Sequence, residues 1–121
     1  MKYLCLAYGD PDKMKALTKA EFEALVARCR LHDAELRKSG HLLQAESLEW
    51  GGACIRPRDG KPVVTDGPFV ETKEQVGGLV VIEARDLNEA IRVASLHPAA
   101  HLGEHLGWCI EIRPIADGCH Q

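Results

Sequence analysis

The sequence predicts an α+β domain of ferredoxin-like topology, an antiparallel sheet with two helices on one face. Three observations predict it. Two short segments, Tyr3 to Tyr8 and Leu79 to Ala84, are apolar on both alternate sets of side chains, as central strands are. Two helix starts are marked by capping boxes, Thr18 with Glu21 and Asp86 with Glu89. The elements then fall in the order β-α-β-hairpin-β-α-β, which places both helices on one side of a single sheet.

Each element has its own local reason. Tyr3 to Tyr8 ends at Gly9-Asp10-Pro11, a break. The helix opened by Thr18 carries Phe22, Leu25, Val26, Cys29 and Leu36 at helical spacing and stops at Gly40. Leu42 to Leu48 reads as the next strand. Ala53 to Arg56 pairs with Pro62 to Thr65 across Arg58-Asp59-Gly60-Lys61, where Asp-Gly is a strong hairpin signal. After Leu79 to Ala84, the second helix is expected to turn Leu87, Ala90, Ile91 and Ala94 inward and to end by Pro98. The last strand, Trp108 to Pro114, alternates cleanly, with Trp108, Ile110 and Ile112 on one side and Cys109, Glu111 and Arg113 on the other. The two-faced strands need a second cover, because two helices shield only one side; a homodimer packed sheet to sheet supplies it.

Composition bounds the function. The 121 residues fit one domain, read as 1–116 with a loose tail at 117–121, and 45% hydrophobic with 27% charged residues is an ordinary globular balance. No run approaches the roughly 20 apolar residues of a membrane span. Met1 to Tyr8 reads as a strand rather than a signal peptide. The net charge of −3 leaves no basic footprint for nucleic acid. Five widely spaced cysteines (Cys5, Cys29, Cys54, Cys109 and Cys119), with no CxxC pair, read as free thiols of a cytoplasmic protein. No P-loop or GxGxxG pattern points to a nucleotide, and no cofactor is expected.

Chemistry concentrates in the run from Val64 to Gly78. It places Gly67-Pro68, the aromatic Phe69 and the ionisable Asp66, Glu71, Lys73 and Glu74 between two apolar strands, a composition no core needs. The run reads as a shaped polar loop at a pocket rim. Asp66 suits a general base or a turn-fixing acceptor. Glu71 and Glu74 with Lys73 suit proton removal beside a cation that steadies an oxyanion, or a surface charge network. His32 lies at the edge of the first helix's apolar stripe, as a further base or a packed residue. Tyr8, at the end of a buried strand, is placed to donate a hydrogen bond into the same pocket, or to sit in the core with a wet tip, and Phe69 and Glu74 join it as ligand contacts. His97, His101 and His105 stand four apart, but Pro98 interrupts the helix that a zinc site would need, so they read as a solvated connection and not as a metal site.

These motifs carry a family resemblance. Lys2-Tyr3-Leu4, Tyr8-Gly9-Asp10, Asp59-Gly60-Lys61, the run from Thr65 to Gln75, Gly77-Gly78, the helix start at Asp86 to Ala90 and Glu111-Ile112-Arg113-Pro114 resemble the DGPF-domain branch of the YCII-related superfamily over nearly the whole chain. The resemblance implies a dimeric α+β barrel. It also implies an association with extracytoplasmic-function sigma factors in bacteria, and a few relatives act as dehydrochlorinases or lactone isomerases. Many relatives carry a histidine on the first helix and an aspartate after the second strand; here that histidine position falls near Cys29, with His32 one turn later. Two function classes stay open: a cofactor-free lyase or isomerase with a pocket near the subunit interface, and a non-catalytic ligand-binding or regulatory protein.

Overall fold

A computed structural model describes residues 1–67 and 73–117. Four strands, β1 (Lys2–Gly9), β2 (Leu42–Ser47), β5 (Gln75–Glu83) and β6 (Cys109–Pro114), form one antiparallel sheet in the order β2-β5-β1-β6. The two apolar strands, β1 and β5, hold the centre, as their two-faced burial requires. A separate hairpin of β3 (Gly52–Arg58) and β4 (Lys61–Gly67) leaves the sheet between β2 and β5. Its turn is Asp59-Gly60, with φ of 52° and 76°, the paired positive angles that let a two-residue turn follow the strand twist.

The long helix α2 (Lys19–Lys38) and the short α3 (Leu87–Ala94) lie on the same face. Their core is Leu36 from α2 and Ala90, Val93 and Ala94 from α3, packed on Tyr3, Cys5, Val80 and Ile82 of the sheet. Thr18 caps α2 as expected, accepting from the Glu21 N–H while Glu21 accepts from the Thr18 N–H.

Four local expectations need correction. A short helix α1 (Pro11–Lys15) occupies what reads as a break. Pro11 starts it without losing a needed donor, and the buried Asp10 carboxylate accepts from the Asp12 and Lys13 N–H groups. At α3, Asp86 accepts from the Glu89 N–H, but Glu89 reaches past it to the Arg85 N–H and pairs with the Arg85 and Arg92 guanidinium groups. Leu87 and Ile91 are about half exposed, because the inward stripe of so short a helix centres on Ala90, Val93 and Ala94. Phe22 is exposed as well: α2 stands away from the sheet along its N-terminal half and buries only Leu36.

That gap has a cause in the strands. Along the helix-facing set of β1 the side chains shrink from Tyr3 and Cys5 to Ala7 and Gly9, and along β5 from Ile82 and Val80 to Gly78. The large residues fill one end of the layer and the small ones leave the other end open. No helix among the described residues is long and apolar enough to cross a membrane.

Candidate functional site

The open end of the layer is a cavity of about 340 Å³. Its floor is Ala7 and Gly9 of β1 with Gly77, Gly78 and Val80 of β5. The β1–β5 register slips between Ala7 and Tyr8, so Gly77 is the extra residue of a bulge. Trp50, from the β2–β3 connection, lies across it: a Cβ on Gly77 would sit 2.5 Å from Trp50 Cη2. Trp108 walls the opposite side, 3.2 Å from where a Cβ on Gly9 would stand, and its Nε1–H donates to Met14 Sδ of α1 at 3.3 Å.

The roof is α2, which presents Cys29, Asp33 and Arg37 at successive turns, and the 3₁₀ turn Pro98–Ala100 adds His97 and Ala99. His97 Nδ1 accepts from the Ala99 N–H at 2.9 Å. With Nδ1 so engaged, the neutral ring carries its proton on Nε2. Burial lowers the His97 pKa from its ordinary 6.5, with His32 acting in the same direction and Asp33 opposing. Burial also raises the Cys29 thiol, with Asp33 adding to the effect, so Cys29 is kept as a thiol rather than a nucleophilic thiolate. Among the described residues, the side chains of Asp33 and Arg37 form no hydrogen bond or ion pair. A cavity with an apolar floor, a carboxylate, a guanidinium and an imidazole N–H can hold a small polar ligand, orient it, and pass a proton.

The depressed pKa of His97 sets a pH dependence. The unfolded chain protonates this histidine more readily than the folded one, so stability falls as pH drops below about 6.5 and levels off below the lowered folded value. The substitution His97→Asn keeps a cap acceptor and removes the titration; its urea midpoint is expected to fall less between pH 7 and pH 5 than that of the parent protein.

The residues nominated by the sequence are dispersed. Tyr8 lines the cavity, but its hydroxyl donates to Glu111 Oε1 at 2.7 Å on the sheet face away from the helices, and that bond raises its pKa. Of the two readings of Tyr8, a donor into the pocket and a packed ring with a wet tip, the geometry departs from the first and fits the second: its side chain belongs to the even, outward set of β1 and its hydroxyl is exposed. His32 stacks on His101, ring centroids 4.8 Å apart, and joins α2 to the segment after α3. Asp66 stands exposed on β4 opposite Ala53, and Lys73 is exposed. Glu74 packs beside Gly107. Phe69 and Glu71 lie outside the described residues, as does Cys119. Of the three regularly spaced histidines, His97 enters the cavity while His101 and His105 are exposed. Among the described residues, no group of three or more His, Cys, Asp or Glu is arranged to hold a metal ion.

Asp33, Arg37, Trp50 and His97 were not singled out as site residues by sequence. The signal present was Cys29, Asp33 and Arg37 at intervals of four, which puts two charges in line with the apolar stripe of α2.

The fold and sequence have relatives. A protein of Rhizobium meliloti (strain 1021), described as uncharacterised, is 30% identical over 118 residues, 96% of this chain and 93% of that protein. A solved structure of 5-chloro-2-hydroxyhydroquinone dehydrochlorinase from Burkholderia phenoliruptrix AC1100, in complex with 2,5-dihydroxybenzoquinone, superposes with a TM-score of 0.50 at 15% identity, covering 100% of this chain and 99% of that one. It shares the fold. The model of the YCII-related domain matches residues 1–116, and with that span covered the chain belongs to the YCII-related family.

Proposed function

We propose that this protein binds a compact small molecule in the cavity beneath α2 and, without a cofactor, moves a proton on it as a lyase or isomerase does. The observation that carries the reading is that Asp33, Arg37 and His97 line one cavity over an apolar floor, with Nδ1 of His97 already engaged by the Ala99 N–H. Asp33 accepts the proton from carbon. The His97 N–H donates to the oxygen on which charge develops, and Arg37 adds a fixed positive charge. A neutral imidazole serves here as an electrophile rather than as a base. Cys29, kept as a thiol, takes no covalent part.

The dehydrochlorinase that shares the fold was solved with 2,5-dihydroxybenzoquinone, which supplies a probe. Its ring C–H exchanges with solvent through a keto tautomer, one deuteron added and one proton removed. In D₂O, followed by proton NMR, the parent protein is expected to accelerate this exchange, and Asp33→Asn to lose at least about 100-fold of the acceleration. Binding without acceleration would assign the cavity to a ligand-binding regulatory protein, the reading that accords with the sigma-factor association implied by the resemblance. An Asp33→Asn variant as fast as the parent would remove Asp33 from the chemistry.

The same reading includes a homodimer. Leu4, Leu6, Leu79 and Val81 form a half-buried apolar patch on the sheet face away from the helices, and Ile55 and Val64, paired across the hairpin, are 68% and 66% exposed. A second copy packed sheet to sheet covers the patch and leaves the cavity on the helix side. A monomer at micromolar concentration in analytical ultracentrifugation would contradict it.

A further inference from the structure

Resting on that reading of the cavity, we infer that its ligand is a single planar ring bearing one negative charge conjugated to it, a ring carboxylate or an ionised ring enol. Two features set the shape. The floor is backbone at Gly9 and Gly77, and the indoles of Trp50 and Trp108 stand directly on it: a Cβ at Gly77 would collide with Trp50 Cη2 at 2.5 Å, and one at Gly9 would crowd Trp108 Cδ1 at 3.2 Å. Flat aromatic walls over a side-chain-free floor favour a flat apolar body, which gains stacking as well as burial. The Trp108 ring is held by its hydrogen bond to Met14, which also lines the cavity, and does not need the ligand to order it.

Two features set the charge. Arg37 reaches the cavity from α2 with no ion-pair partner among the described residues, and its planar fork matches an anionic oxygen pair. Asp33 stands one turn earlier on the same helix face, also without an ion pair among the described residues. Arg37, with the imidazole N–H, gives one anionic edge of the ring its partner. A ring whose anionic edge meets Arg37 turns its remaining edge toward Asp33 and His97, where an acidic C–H or a ring oxygen is met by a proton acceptor and a donor. The volume of about 340 Å³ holds one substituted ring.

The test uses three probes of matched size: benzoate, which is planar and anionic; cyclohexanecarboxylate, anionic but not planar; and benzamide, planar but neutral. Dissociation constants are read by calorimetry and by competition with 2,5-dihydroxybenzoquinone. Benzoate is expected to bind at least about 10-fold more tightly than either alternative. Arg37→Gln, a change at an exposed position, is expected to remove its advantage over benzamide and keep its advantage over cyclohexanecarboxylate. Equal binding of all three, or no binding of benzoate while 2,5-dihydroxybenzoquinone binds, overturns the planar monoanion and leaves the cavity standing as a ligand site. Failure of every probe, 2,5-dihydroxybenzoquinone included, overturns the cavity reading itself and the inference with it.

Discussion

Replacing Leu36 by alanine is expected to cost the fold about 3 kcal/mol. Leu36 is 2% exposed and is the one buried residue of the 20 in α2. It enters the core among Tyr3, Cys5, Val80 and Ile82. The rest of the helix holds to the domain through half-buried contacts such as Cys29 and the His32–His101 stack, so little else compensates when the anchor is truncated. A filled core cannot close over the missing methyl groups without moving the helix that lost them. Because Asp33 and Arg37 ride on that helix, ligand affinity is expected to fall together with stability. Leu31→Ala is the internal control: Leu31 is 72% exposed on the same helix, and its truncation is expected to change stability by less than about 0.5 kcal/mol. Urea denaturation of the two variants gives the comparison; a loss under about 1 kcal/mol for Leu36→Ala would mean that α2 is held by something other than this contact.

The second large effect is expected at Gly103, where alanine should also cost about 3 kcal/mol. Gly103 has a φ of 72°, in the left-handed region that favours glycine, and a Cβ there would overlap the indole of Trp108. Backbone strain and ring overlap therefore add. The ring cannot retreat easily, since its Nε1–H is held by Met14 Sδ and its face walls the cavity at Gly9. Gly107 separates the two terms. It has nearly the same angle, 73°, but its Cβ would stand 3.2 Å from Glu74 Cγ, a contact that a shift of a few tenths of an ångström relieves. Gly107→Ala is expected to show the strain alone, about 1 kcal/mol. Equal losses at the two positions, read by thermal denaturation, would show that the overlap with Trp108 is relieved at no cost.

Much of the fold was legible because its signals are local. The Thr18–Glu21 capping box, the Asp59-Gly60 turn and the two-faced strands each depend on neighbours in sequence, and the structure places them as expected. The misplaced details turn on competition between near neighbours. Glu89 has both Asp86 and Arg85 within reach of its carboxylate, and the sequence does not say which N–H it takes. Asp10-Pro11 serves equally as a break and as a helix start.

The site was less legible, for a physical reason. β1 is apolar on both faces, so the sequence displays the taper from Tyr3 to Gly9 without saying which face meets the helices. His97 lines the cavity as the N-cap of the 3₁₀ turn Pro98–Ala100, and Trp50 lies where the missing Cβ of Gly77 leaves room for its ring. These are consequences of tertiary closure. The charged run around Asp66 is conspicuous by composition, whereas Asp33 and Arg37 look like ordinary charges of an exposed helix.

The central claim, that the cavity beneath α2 is the ligand site, is tested most directly by a ¹⁵N–¹H NMR titration of the intact protein with 2,5-dihydroxybenzoquinone. Amide shifts are expected at Ala7, Gly9, Gly77, Gly78 and Ala99, with the hairpin residues Ile55 and Val64 unmoved. Shifts gathered around Asp66 and Lys73, with the cavity amides silent, would contradict it and return the site to the charged loop.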